Sequence, residues 1–332
     1  MPYPRLTRNF PLLGVFLAMS LWGAGRAWAE NAPPAQSSKV PQVVVSIAPI
    51  HSLASAIMRD VGEPELLLRA TTSPHAFSLR PSDARKLSQA DVIFWVGPGL
   101  ETTLNDSITS LALKGRVVTL SQAKNMRILL TREGGLWMPL APTARITKPL
   151  APEHRYDMHV WLSVDNAKII SRRIANVLSH IDSAHKEKYQ ANLQHLLVGL
   201  DELDGRLRAT LRPVRNSPYL VFHDAYQYFE EKYELSSRGA ITVSPNHQPG
   251  ARRLQYLRQY VREADVACVF AEPQFAPALI DVVVKNSGAR IGVLDPLGVT
   301  IKPGRKAYMI LMENLARDLS DCLSGGAIAD RN

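Results

Sequence analysis

Cysteine is almost absent from this chain: 332 residues hold two, Cys268 and Cys322. A chain of this length buries real hydrophobic cores without disulfide staples, so the pair is not the scaffold of the fold. A membrane-spanning run is missing as well. The N-terminal apolar stretch FPLLGVFLAMSLW is about a dozen residues long, short of the roughly 20 that a bilayer span needs. No basic stripe interleaved with aromatics appears, although the formal net charge is +9, so nucleic acid is a poor partner. There is no H-E-x-x-H and no recognised nucleophile motif, and no acid stands where it would obviously act as a general base. What remains is ordinary globular composition, 46% hydrophobic and 21% charged, at a length that favours two domains.

The N-terminus carries an address. MPYPRLTRNF holds two arginines, the short apolar stretch follows, and Ala27-Trp28-Ala29 gives an A-x-A cleavage pattern. Residues 1–29 are therefore expected to be a cleaved signal peptide, and the mature protein an exported, periplasmic one. No cysteine lies near the cleavage site to take a lipid. Arg5, Arg8 and Arg26 leave with the signal, which contains no acid, so the mature chain carries +6. An oxidising compartment favours pairing of Cys268 with Cys322. Two free, buried cysteines are the alternative at this point.

Beyond a linker at 30–42, apolar and β-branched runs alternate with helical periodicity. PQVVVSIAPI, ELLLRA, DVIFWVGP and RVVTL read as strands, with helices in HSLASAIMRDVG, in RPSDARKLSQA (Ser82 as cap) and from Glu101 onward. This βαβ alternation predicts a parallel sheet. Residues 123–157, rich in Pro and Gly, read as a long loop or flap. Helical spacing resumes with Asp165 as the expected cap. Tyr189, Leu193, Leu196, Leu197, Leu200, Leu203 and Leu207 then mark one helix that ends at Pro213. The second half repeats the first, from PYLVFHDA to the closing helix RKAYMILMENLARDLSDCL. The predicted fold class is α/β: two lobes with parallel-sheet α/β sandwiches joined by one long rigid α-helix. Their bounds are 43–183 for the N-terminal lobe, 184–213 for the connecting helix and 214–332 for the C-terminal lobe.

Nine histidines are present. His51, His180, His185 and His195 fall in helical patterns and His154 and His247 in loops, where each reads as solvated or internally satisfied. His75, His159 and His223 share another situation, beside or at the C-terminal edge of a strand, where open α/β sheets bind ligands. His75 belongs to the first lobe and His223 to the second, which points to a metal site in the inter-lobe cleft. Three neutral imidazoles suit Zn²⁺ and leave a fourth tetrahedral position open.

Longer words carry a resemblance. SIAPIHSLASAI, SPHAFSLRPSDARKLSQADVIFWVGPGLE, DMHVWLSVDNAKIISRRIA, YQANLQHLLVGLDELDGRLRATL, FHDAYQYFEEKYEL, NHQPGARRL, FAEPQF and LDPLG resemble the periplasmic zinc-binding solute receptors of high-affinity zinc-uptake ABC transporters. The resemblance runs from about Val43 to Cys322. It implies a receptor that captures Zn²⁺ as transported cargo and hands it to an inner-membrane permease with a cytoplasmic ATPase. It also implies His75, His159 and His223 as the zinc ligands, a Cys268–Cys322 disulfide, and a monomer that is not an enzyme.

Manganese and iron receptors of the wider family place a carboxylate where His223 stands; an imidazole there shifts the site toward zinc. A manganese or iron receptor is thus the alternative reading, and a three-histidine zinc hydrolase or lyase is less favoured. Two departures stand out. Pro74 occupies the position where some relatives carry a ligand glutamate, so the fourth ligand is expected to be water or a carboxylate such as Asp295. The 123–157 segment lacks the His- and acid-rich run of many zinc receptors. Glu272 reads either as a partner orienting a ligand histidine or as a cap. Trp95, Trp161 and Tyr226 read as cleft-wall packing.

Overall fold

The computed structural model describes residues 39–111, 114–137, 155–242, 249–275 and 278–325. The predicted signal segment, most of the 30–42 linker, His154 and His247 lie outside them. Among the described residues no helix is long and apolar enough to cross a membrane.

Two four-stranded parallel sheets form the frame. The first joins β1 (Val43–Val45), β2 (Glu65–Leu66), β3 (Val92–Trp95) and β4 (Arg116–Thr119) in the order β2-β1-β3-β4. Pairing of ELLLRA with β1 continues past the assigned strand, because the Leu67 and Leu68 N–H groups donate to the carbonyls of Val45 and Ser46. The antiparallel pair β5 (Leu129–Leu130) and β6 (Tyr156–Asp157) comes next in the chain. The second sheet joins β7 (Tyr219–His223), β8 (Ser237–Thr242), β9 (Cys268–Ala271) and β10 (Arg290–Val293) in the order β10-β9-β7-β8. Read from the other edge, the two orders are the same: second, first, third, fourth. In both sheets the chain reverses direction between its first and third strands, the position where such sheets take ligands.

The helices bury the residues that the periodicity marks. The first lobe carries α1 (Ala48–Ile57), α2 (Pro81–Gln89), α3 (Thr102–Ser110) and α4 (Val164–Ile181). The long helix α5 (Lys186–Leu211) has 26 residues, about 39 Å at 1.5 Å per residue. It buries Tyr189, Leu193, Leu196, Leu197, Leu200, Leu203, Leu207 and Leu211. The second lobe adds α6 (Gln227–Tyr233), α7 (Ala251–Glu263), α8 (Ala278–Val284) and α9 (Ala307–Leu323). Far from being a bare tether, α5 packs against α1, α4 and α9. One continuous core therefore runs through both lobes, and a smaller one lies between the second sheet and α7 and α8. The closing helix α9 also meets the first lobe: the Tyr308 N–H donates to Ser52 Oγ at 2.8 Å and the Tyr308 hydroxyl to the Trp161 carbonyl at 2.7 Å. Cys268 on β9 and Cys322 on α9 form the disulfide.

Two predicted caps move. Pro81, with no N–H and a fixed φ, takes the first helical position of α2, which makes Arg80 the cap and leaves Ser82 inside the turn. Asp83 accepts the Arg80 N–H at 3.0 Å. Ser163, not Asp165, caps α4, its hydroxyl accepting the Asn166 N–H at 3.2 Å. Asp165 sits in the first turn, where a negative charge faces the helix N-terminus. His185 lies in a short 3₁₀ turn, Ser183–His185, rather than in α5 itself.

The 123–157 segment is less loop-like than expected. Residues 138–154 lie outside the described residues, but its two ends are tied together by β5 and β6. The stretch after β5 crosses to the second lobe. Leu136 bridges Gly239 at the edge of β8, an approach only glycine permits, since an added Cβ would lie 2.1 Å from that of Leu136. The buried Arg253 of α7 donates to the carbonyls of Leu136 and Ala240 at 2.8 and 2.6 Å. Arg132 binds Asp224 and Glu230 and lies 3.4 Å above the Trp137 ring.

At the reversal point of the first sheet a carboxyl fills the gap. Fully buried Glu101 accepts from the Ser46 hydroxyl and from the N–H groups of Val96 and Gly97, at 3.2 and 2.8 Å for the latter two. Burial pushes its pKa up to about 7 despite these three donors. The folded chain thus holds this proton more tightly than the unfolded one, so the contribution of Glu101 is largest below about pH 4.5 and is lost as pH rises through about 7. In urea unfolding of metal-free protein, wild type should lose up to about 3 kcal/mol relative to Glu101→Gln across that window; parallel stability curves would contradict the assignment.

Candidate metal centre

Three backbone features bring the predicted histidines together. His75 lies in the loop between β2 and α2, just after buried Pro74, and is half-buried. His159 precedes a short 3₁₀ turn, Val160–Leu162, that leads into α4. His223 is the last residue of β7, at the reversal point of the second sheet. His159 and His223 are buried. One ligand atom from each of the three lies within 4.8 Å of the others. His159 Nε2 is 3.2 Å from His75 Nε2 and 3.3 Å from His223 Nε2. Three ring nitrogens thus converge on one point in a narrow cleft walled by both lobes.

What stands behind the rings sets their chemistry. Asp157 Oδ1 accepts both the backbone N–H and the Nδ1–H of His159, at 2.9 and 2.8 Å. Glu272 Oε1 is 2.6 Å from His223 Nδ1 and accepts the His223 N–H at 3.3 Å. Glu272 directly follows β9, the strand beside β7 across the reversal point. Each carboxylate keeps a proton on Nδ1 and leaves the Nε2 lone pair facing the cluster, the arrangement that orients metal-binding imidazoles.

Burial and charge pull the groups apart. Burial, aided by the neighbouring His223, lowers the His159 pKa to about 3. Burial alone would lower His223 too, but the Glu272 carboxylate, with Asp224 and Asp157, outweighs it and raises the pKa above the ordinary value. Burial pushes Asp157 up to about 7, opposed by its hydrogen bonds to His159 and the charges of Arg132 and His223. A cation among the three Nε2 atoms would displace the His223 proton and return Asp157 to its ionised form.

The remaining residues fall elsewhere. Asp295 does not join the cluster: its Oδ1 accepts the N–H groups of Leu297 and Gly298 at 3.0 and 2.9 Å, and its Oδ2 that of Val299. It closes the turn after β10, because three consecutive loop N–H groups need acceptors once buried. His51 bonds the Pro64 carbonyl at 2.9 Å and is not part of the cluster. Trp161 forms cleft wall 5.3 Å from the His159 ring and donates to the Pro296 carbonyl at 2.8 Å. Tyr226 bonds the Leu294 carbonyl, and Trp95 bonds Thr119. Asp157 is the functional residue that pattern reading missed. Its signal was local, an acid two residues before a histidine, which can reach the backbone N–H and the ring of the same residue.

Comparison with known proteins is consistent with this geometry. A family model described as "Zinc-uptake complex component A periplasmic" matches residues 43–322. The high-affinity zinc uptake system protein ZnuA of Brucella suis biovar 1 (strain 1330) is 40% identical over 305 residues, covering 85% of this chain and 91% of that protein. The ZnuA of Yersinia pestis is 37% identical over 293 residues, with the same coverage. A crystal structure of ZnuA superposes with a TM-score of 0.70 at 23% identity, covering 85% of this chain and 99% of that one. On the extent of the family match and the identity to its members, this chain belongs to the ZnuA family of periplasmic zinc-uptake components.

Proposed function

We propose that this protein is the periplasmic receptor that captures Zn²⁺ through His75, His159 and His223 and delivers it as cargo to an inner-membrane ABC permease driven by a cytoplasmic ATPase. In this reading residues 1–29 are removed on export, and the monomer works through two lobes, 43–183 and 214–332, linked by 184–213. The observation that carries the reading is the convergence of three Nε2 atoms, two of them backed by buried carboxylates. Neutral imidazoles in an open three-ligand set suit zinc. A third imidazole, where manganese sites use a carboxylate, argues against the harder ions. Relatives named as high-affinity zinc uptake proteins support the same cargo. Zinc enters as the substrate; the chain's part is to present lone pairs, exclude bulk water and give up the proton that zinc displaces.

Isothermal titration of metal-stripped protein should give one tight zinc site. His75→Ala, His159→Ala and His223→Ala should each lower affinity by more than about 100-fold, beyond the loss caused by an outer partner. Parent-like binding by all three variants would remove the site. Asp157→Asn and Glu272→Gln should each cost about 10–100-fold while binding is retained. Affinity should also fall with pH, because the raised His223 pKa makes zinc compete with a proton. Below about pH 7, where Asp157 is protonated as well, the fall should exceed about tenfold per pH unit, with protons released from both His223 and Asp157 on zinc binding. Glu272→Gln should move the onset to lower pH. His159, already neutral, should release none.

A further inference from the structure

Three histidines leave the zinc's fourth position to be filled, and the side chains around the cluster differ in what they offer. Asp157 and Glu272 stand behind the rings: one oxygen of each binds an Nδ1, on the side of its imidazole away from the Nε2 that faces the cluster. Their second oxygens, which have no hydrogen-bond partner among the described residues, are thus set back from the cluster. Asp295 is spent on loop N–H groups. Gln274 is different. It forms part of the cleft wall with the three histidines. Its Nε2 donates to Asp295 Oδ1 at 3.2 Å and, across the cleft, to the Ala70 carbonyl of the first lobe at 3.5 Å. Both amide hydrogens are therefore used and the orientation of the carboxamide is set. Its Oε1 is shielded from solvent and has no hydrogen-bond partner among the described residues. A buried acceptor left without a donor is destabilising, so this oxygen calls for a donor that arrives with the cargo.

We propose that Gln274 is a positioning residue for zinc capture: its Oε1 accepts a hydrogen bond from the water molecule that completes the zinc's coordination. This rests on the three-histidine reading above. Water on zinc is acidified, with a pKa near 7 in open three-ligand sites, and so is a strong donor seeking an acceptor. A neutral amide takes that hydrogen bond without taking the proton. A carboxylate at the same place would act as a general base or become a fourth ligand. Gln274 accordingly keeps the coordinated oxygen as water, the form a receptor exchanges when the metal is passed on, rather than as hydroxide, the nucleophile of a zinc hydrolase. Asp295 contributes indirectly by fixing the amide.

Cobalt(II) in place of zinc gives a visible spectrum that reports ionisation of the bound water. The parent should show one such transition. In Gln274→Leu the midpoint should fall by about 0.5 pH unit or more, since the lost acceptor had favoured the water form, and zinc affinity should drop several-fold. In the isosteric Gln274→Glu the midpoint should rise, or the transition should vanish as the carboxylate displaces water. Should the leucine variant fail to fold, the glutamate variant decides alone. A parent with no ionisation, or variants whose midpoint and affinity match the parent's, would overturn the role of Gln274 while leaving three-histidine binding intact. Failure of the parent to bind either metal would instead overturn the receptor reading.

Discussion

A buried imidazole offers a lone pair only while its other nitrogen keeps a proton, and the hydrogen bonds from His159 to Asp157 and from His223 to Glu272 enforce that state. Much of the surrounding architecture serves these two pairs. Asp157 is held by the short ribbon of β5 and β6, whose Leu129 N–H donates to the Tyr228 hydroxyl, which in turn donates to the Asp157 carbonyl at 2.6 Å. Glu272 leaves β9, the strand that the Cys268–Cys322 disulfide ties to α9. The negative charge gathered there, with Asp224 and Glu230 nearby, is balanced in part by Arg132. An unpaired carboxylate this deep would be costly, so the segment after β5 must cross to the second lobe to supply that cation.

The shared strand order of the two sheets makes their reversal points directly comparable. In the second sheet the gap between the first and third strands holds His223 and Glu272, an imidazole and its acceptor, with a ring nitrogen left facing the cleft. In the first sheet the corresponding gap is closed by Glu101, which takes a hydroxyl and two backbone N–H groups and offers nothing outward. One lobe therefore contributes from its sheet and the other from its loops. Parallel topology supplies a ligand position in each lobe, and the side chains at the strand ends decide which is used.

Much of this was legible in sequence because it depends on short-range periodicity. The strands around Val43–Val45, Val92–Trp95 and Tyr219–His223 are continuous apolar runs, and α5 shows its buried stripe over more than five turns. His223 was readable as a strand end. Other features depend on partners distant in the chain and left no local trace. That Glu272 orients His223 in particular, 49 residues away, follows from packing. The Asp295 turn and the fixed orientation of Gln274 also need the folded loops. The caps at Arg80 and Ser163 turned on competition between adjacent polar residues, which propensity ranks too evenly to separate.

The way α5 and α9 join the lobes has a kinetic consequence. With α1, α4, α5 and α9 sharing one core, and with Tyr308 bonded to Ser52 and to the Trp161 carbonyl, rotation of one lobe against the other would have to break close packing before it exposed the cleft. His75 is mounted otherwise, half-buried in a loop between β2 and α2, while His159 and His223 are buried. Entry and escape of an ion then fall to a segment of a few residues. Loop motions run on nanosecond to microsecond timescales, against microseconds to milliseconds for domain hinges. Ion exchange would be gated by a swinging ligand on a stationary body.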